Sequence, residues 1–100
     1  VEKMLALQIM SALSQSTRYE TFRKLVEVLP DGMAAGDIAT AVGTTANTMS
    51  AHLAIMSRAG LVSSEKIGRT LVYRAETSAA EELSAFLAQA CERGKRSRRS

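Results

Sequence analysis

Three glycines in the middle of the chain, Gly43, Gly60 and Gly68, constrain its fold most strongly, because each stands where one residue pattern gives way to another. Glycine is the residue that most readily ends a helix or closes a tight hairpin turn. The segments between these glycines change from helical to strand-like composition. We predict four short elements: helices over Gly36–Val42 and from Thr44–Thr45 to Gly60, and strands over Leu61–Lys66 and Thr70–Arg74.

Two further helices precede this segment and one follows it. Val1–Leu13 and Ser16–Leu29 have helical periodicity, and a last helix is predicted from Ser78 to Gly94. Two short helices around a tight turn, followed by a hairpin, are the parts of a winged helix-turn-helix, in which the second helix enters the major groove of DNA. The prediction is a mainly α fold of five helices with a small two-stranded β-hairpin, the wing.

The charge of the chain is unevenly distributed. Its net charge is +3, but residues 92–100 carry five basic groups and one acid, so the remaining residues have a net charge of −1. A second concentration of basic groups lies within Arg58–Arg74, where Glu65 is the only acid. We therefore predict a DNA-binding and dimerisation domain over residues 1–93 and a basic, disordered tail over 94–100, with phosphate contact by the tail as the alternative.

The second helix of the motif has the pattern of a recognition helix. At helical spacing Met49, Leu53 and Met56 face inward, while Asn47 and Ala51 face outward. The outward side chains are small or polar, and the helix carries no acid to repel phosphate. An asparagine can pair with adenine and an alanine can contact a thymine methyl group. The alternative is an ordinary polar surface helix.

His52 is the only histidine, which excludes a site with several histidine ligands. It lies between the inward and outward faces, so the sequence leaves open a phosphate contact or a packed, hydrogen-bonded side chain. The complete set of predicted DNA-binding residues is Thr45, Asn47, Thr48, Ser50, Ala51, His52, Arg58, Lys66 and Arg69.

The first and last helices carry more apolar surface than the central motif needs. Packed against the same pair from a second copy, they would form a two-fold interface, which also suits a palindromic DNA site. The alternative is that both helices complete the core of a monomer. The predicted dimer-interface residues are Met4, Leu5, Ile9, Leu83, Phe86, Leu87 and Ala90.

The chain resembles the ArsR/SmtB family of bacterial winged-helix repressors. The segments that carry the resemblance are Ala12–Arg18, Asp37–Ala39, Thr48–Leu53, Ala59–Val62 and Gly68–Tyr73. The resemblance implies a dimer built from the first and last helices, repression by operator binding, and release by an inducer. It also implies base-facing positions at Asn47, Thr48, Ser50 and Ala51.

The sensor sites of that family do not transfer to this chain. Met33–Ala39 contains no thiol, where its arsenic sensors have paired cysteines, and Ser78–Cys91 contains no histidine, where its zinc sensors have ligands. Glu81 and Glu82 alone make a poor zinc site, so we expect no metal and no cofactor. Cys91 is the only cysteine, and the open alternatives are an inert interface residue, a thiol or redox switch, and arsenical or metal binding.

The leading hypothesis is a dimeric, sequence-specific transcriptional repressor that binds a palindromic operator in double-stranded DNA and is released by an unidentified inducer. The absence of a long apolar run predicts no membrane span, and the single cysteine indicates the cytoplasm. The alternative is a winged-helix protein-interaction module without specific DNA binding. An enzyme is not expected, because the sequence contains no catalytic constellation.

Overall fold

The computed structural model describes residues 1–99, with side chains as far as Lys95. It confirms the predicted fold class, with five helices and a wing. The bounds differ from those predicted by a few residues at most element ends, apart from the last helix. In chain order the elements are α1 (Lys3–Leu13), α2 (Ser16–Glu27), β1 (Met33–Ala34), α3 (Ala35–Val42), α4 (Ala46–Arg58), β2 (Val62–Ile67), β3 (Thr70–Ala75) and α5 (Thr77–Arg99).

Left-handed glycines end both helices of the central motif. Gly43 and Gly60 each have φ of 76°, a conformation that a side chain would strain. After Gly60, the Leu61 backbone N–H donates to the carbonyl of Met56 at 3.0 Å. Leu61 and Met56 are both fully buried. A hydrophobic contact between these two positions commonly accompanies a helix end of this kind, where the chain reverses direction. This geometry directs β2 away from the end of α4.

The sheet contains one strand, β1, in addition to the predicted two-stranded wing. β1 pairs antiparallel with β3 on the side opposite β2, with Met33 opposite Tyr73 and Ala34 opposite Val72. A two-residue strand is too short for an alternating pattern to be recognised in sequence. Gly32 permits the close approach, because a Cβ atom there would lie 2.5 Å from the carbonyl oxygen of Tyr73.

The core is mostly aliphatic and joins every helix to the base of the wing. α4 contributes one side chain per turn to it, as the helical spacing predicts. β2 enters the core only at its first residue, Val62, and its remaining residues are exposed. The largest fully buried side chains are Ile9, Leu25, Ile38, Met49, Leu53, Met56, Leu61 and Thr21.

The last helix is longer than predicted. α5 continues through Gly94 to Arg99, so the predicted helix end at Gly94 is wrong. A single glycine costs a helix only about 1 kcal/mol, and a Cβ atom at Gly94 would meet no neighbouring atom. The division into a domain of residues 1–93 and a tail of 94–100 stays a prediction, and Ser100 lies outside the described residues.

Candidate nucleic-acid interface

α4, the predicted recognition helix, is buried along one face and exposed along the other. Met49, Leu53 and Met56 have no exposed surface, whereas Asn47 and Ala51 are exposed. Thr48, Ser50 and Arg58 are exposed as well. The inward and outward positions therefore agree with the helical pattern of the sequence. The result is a convex surface of small, uncharged side chains at the start of the helix, with a cation at its end.

Thr45 caps the recognition helix rather than lying free beside it. Its Oγ1 accepts a hydrogen bond from the Thr48 backbone N–H at 3.2 Å and lies 2.8 Å from the Thr48 hydroxyl oxygen. A threonine cap stabilises a helix by about 1 kcal/mol. The N–H groups of Ala46 and Asn47 in the first turn have no acceptor within the helix, and the helix dipole makes this end attractive to a phosphate.

His52 is half-buried and belongs to a hydrogen-bonded pair. Its Nδ1 lies 3.2 Å from Arg18 Nη1, and Arg18 Nε donates to the carbonyl of Ala12 at 2.7 Å. Burial, and then the charge of Arg18, lower the pKa of His52 from its ordinary value. Of the two alternatives left by the sequence, this geometry favours the packed, hydrogen-bonded side chain. Arg18, the hydrogen-bond partner of His52, is 34 positions away in the chain, and no sequence pattern predicts this contact.

The wing ends in a two-residue turn with basic side chains around it. Ile67 pairs with Thr70, so Gly68 and Arg69 form the turn, and Gly68 has φ of 64°. Among hairpin turns of two residues, a positive φ at the first position alone is typical of type II′. Lys66 and Arg69 are exposed, and neither forms an ion pair with any side chain among residues 1–95.

Arg74 has a different role from the other basic residues of the wing. Its Nη1 lies 2.8 Å from Glu65 Oε1 across the β2–β3 pair, and its Nε donates to the carbonyl of Pro30 at 3.3 Å. This ion pair cancels the only acid of the wing and ties β3 to the segment before β1. In the sequence, Arg74 is one of several basic residues of the wing, whereas in the structure its hydrogen bonds stabilise the sheet.

The end helices expose much of the apolar surface that the sequence assigns to a dimer. Met4 is 72% exposed and Leu87 is 44% exposed, and Ala90 is exposed too. Leu5, Leu83 and Phe86 are half-buried. Leu7, which is not among the predicted interface residues, is 47% exposed on α1. Ile9 has no exposed surface. It packs in the chain's own core and offers nothing for a partner to contact.

The remaining candidate chemistry is sparse within the described part of the chain. Cys91 is an exposed free cysteine on α5. Among the described residues, no group of three histidine, cysteine, aspartate or glutamate side chains could hold a metal ion. None of the helices described is both long and apolar enough to cross a bilayer.

Comparisons with known proteins agree with this geometry. A family model described as a helix-turn-helix domain matches residues 13–65. An ArsR-like transcriptional regulator from Rhodococcus sp. RHA1 is 26% identical, covering 93% of this chain and 85% of its own, with a TM-score of 0.84. No curated protein sequence matches the chain.

Two further solved structures are similar over most of the chain. The homodimeric winged helix-turn-helix DNA-binding domain of a possible ArsR-family transcriptional regulator from Mycobacterium bovis is 25% identical, with a TM-score of 0.70, and covers 92% of this chain and 83% of its own. NolR from Sinorhizobium fredii is 27% identical, with a TM-score of 0.69, and covers 83% of this chain and 81% of its own.

The fold and the exposed recognition helix together define a winged helix-turn-helix DNA-binding transcriptional regulator. The chain belongs to the helix-turn-helix domain family, and its similarity to solved ArsR-type regulators supports a winged helix-turn-helix regulator of the ArsR/SmtB type. The family and fold are those of transcriptional regulators, which are not enzymes.

Proposed function

We propose that this protein is a dimeric repressor that reads a palindromic operator with α4 in the major groove and the wing on the adjacent backbone or minor groove. The observation that carries the proposal is the exposed face of α4, where Asn47, Ser50 and Ala51 lie on a helix that contains no acid. DNA repels acids and accepts small polar side chains at base edges. The alternative, a protein-interaction module, does not need this depletion of acids.

Base reading and backbone contact fall to different residues in this proposal. Asn47 is suited to a bidentate pair with adenine, and Ala51 to contact with a thymine methyl group. Thr48 and Ser50 have exposed hydroxyl groups for bases or phosphates at the start of α4, whereas the Thr45 hydroxyl is engaged in capping the helix. Arg58, Lys66 and Arg69 are exposed cations for phosphates, which contribute affinity without sequence preference.

A second copy of the chain would complete the proposed DNA-binding unit. The exposed apolar side chains Met4, Leu7 and Leu87 lie on α1 and α5, which pack against each other within the chain. A similar structure from Mycobacterium bovis is described as homodimeric. Two-fold symmetry would present two recognition helices about one DNA turn (~34 Å) apart, which requires a palindromic site.

We further propose that an inducer releases the operator and that the protein acts in the cytoplasm. The inducer is unidentified. Cys91 is an exposed thiol on α5, so a two-electron oxidant such as a peroxide could join the Cys91 thiols of two copies in a disulfide and alter the proposed interface. The competing roles for Cys91 are inert packing at that interface and arsenical binding, which needs further thiolates.

The test is selection of bound duplexes from a random pool by the full chain, under reducing and oxidising conditions. We expect a palindromic motif under reducing conditions. Unchanged binding on oxidation would contradict a switch at Cys91. Failure to bind any duplex at low salt would contradict the repressor and favour the protein-interaction module.

The assignment of α4 is tested with Asn47→Ala on the selected operator. We expect a loss of about 1–3 kcal/mol in binding free energy and relaxed preference at one position of each half-site. Gln89→Ala, which removes an exposed amide from α5, is the matched control and should leave binding unchanged. Equal effects of the two variants would contradict the assignment.

A further inference from the structure

Arg18 connects three helices at one point. It lies in the first turn of α2, where its backbone N–H donates to Gln15 Oε1 at 2.9 Å. Its Nε donates to the carbonyl of Ala12 in the last turn of α1 at 2.7 Å, and its Nη1 lies 3.2 Å from His52 Nδ1 on α4. The guanidinium is thus held on both sides, and it joins an end helix to the recognition helix.

We propose that Arg18 is a positioning residue for DNA reading, which holds α4 in place through neutral His52, so that protonation of His52 weakens operator binding. This inference rests on the proposed function and deepens it, because it assigns a regulation to the same recognition helix. His52 then acts through the position of α4 and not as a direct phosphate ligand.

The hydrogen bond between Arg18 and His52 requires a neutral histidine. A guanidinium only donates hydrogen bonds, so His52 Nδ1 must be the acceptor and its ring proton must lie on Nε2. A second proton on Nδ1 would remove that acceptor and place a positive ring beside a positive guanidinium. Arg18 would have to move, and its hydrogen bond to Ala12 would be disturbed with it.

The environment of His52 also favours its neutral form. Burial and the Arg18 charge both lower the pKa of His52. Among residues 1–95, Arg18 is the one charged group that shifts the pKa of His52. The other charged groups on elements packed against α4 are Lys3 of α1, Glu20, Arg23, Lys24 and Glu27 of α2, Asp37 of α3, and Glu65 and Lys66 of β2.

The experiment measures the affinity of the full chain for the selected operator at about pH 7 and at about pH 5, the lower end of the range of histidine titration, because the pKa of His52 is lowered. His52 is the only histidine, so no other imidazole contributes. We expect the affinity to fall about three- to tenfold on acidification, the equivalent of one hydrogen bond. Affinity for a random duplex should not fall.

Two variants separate positioning from a merely structural role. In His52→Asn the amide oxygen can replace Nδ1 as the acceptor but cannot be protonated, so operator affinity should lose its pH dependence. Arg18→Lys keeps the charge but loses the fork of donors, so affinity at about pH 7 should fall about three- to tenfold. Thermal unfolding of each variant checks that it is folded.

Three results would overturn the inference. A rise in operator affinity on acidification would identify His52 as a direct phosphate ligand. The same affinity at both pH values would show that the pair does not position α4. A pH dependence that persists in His52→Asn would assign the titration to another group. If the unmodified protein binds no duplex at either pH, the proposed function itself fails, which is distinct from these results.

Discussion

The proposed DNA-binding side of the molecule, the outward face of α4, and its end-helix side, α1 and α5, are both exposed, but their chemistry is opposite. α4 presents Asn47, Ser50 and Ala51 without an acid, whereas the end helices present Met4 and Leu87 among residues that include exposed acids. Small polar side chains suit the edges of bases, and large apolar ones suit a second protein surface. The difference teaches that exposure alone does not mark a DNA-binding surface, since the composition of the exposed face decides which partner it fits.

The largest expected effect comes from disrupting the proposed dimer interface on α1 and α5. Leu87→Glu places a charge in the proposed dimer interface and should give a monomer, which we expect to weaken operator binding by about a hundredfold or more because both half-sites are no longer engaged together. Light scattering and titration with the operator measure the two consequences. Val26→Glu, at an exposed valine on α2, is the matched control and should remain dimeric. Tight operator binding by a monomeric Leu87→Glu would contradict the dimer proposal.

The support of the wing gives the next largest effect. Gly32→Ala places a methyl group against the backbone of Tyr73 and should destabilise the fold by about 1–3 kcal/mol. Gly36→Ala is the matched control, because a Cβ atom there meets no neighbour and alanine favours the helix. Urea denaturation measures both free energies of unfolding. Equal stability of the two variants would contradict the close approach of Gly32 to the backbone of Tyr73.

The wing should contribute affinity but no sequence preference. Arg69→Ala is expected to weaken binding to all duplexes similarly and to reduce the salt dependence by about one phosphate contact. The control is Arg23→Ala, because Arg23 is an exposed arginine paired with Glu20 on α2. Titration of the operator and of a random duplex over a range of salt concentrations gives the slopes. A loss confined to the operator would instead assign base reading to Arg69.

The smallest expected effect concerns the stability of the free protein. Since the pKa of His52 is lowered in the folded state, the unfolded chain takes up this proton first as the pH falls below the ordinary value of 6.5. Stability should therefore decrease on acidification through that range, and should not depend on His52 at higher pH. His52→Asn should lose less stability than the unmodified protein between about pH 7 and about pH 5.5. An equal loss in urea denaturation would contradict the role of the Arg18 pair.

Much of the fold was accessible to sequence reasoning because its signals are local. Gly43, Gly60 and Gly68 take the left-handed backbone that their positions predict. Met49 and Met56 are buried on the predicted face of α4 because a helix repeats every ~3.6 residues. The exposed positions of the candidate site follow from the same repeat, whereas their DNA contacts remain predictions.

Local signals also account for the errors. Gly94 has the composition of a helix end, but nothing in α5 requires the helix to stop there. Ile9 continues the apolar stripe of α1, and a stripe does not reveal which of its members meet the chain's own core. β1 is too short to have a pattern, and it forms because β3 lies beside it.

The sequence by itself determined the order of the elements, the recognition helix with its acid-free face, and the resemblance to ArsR/SmtB regulators. Only the tertiary structure decided that Arg74 braces the sheet through Glu65 and Pro30, and that Arg18 holds His52. The physical reason is the range of the interactions. Helix periodicity and glycine conformation act within a few residues, whereas these hydrogen bonds join positions that are distant in the chain and meet only when the helices pack.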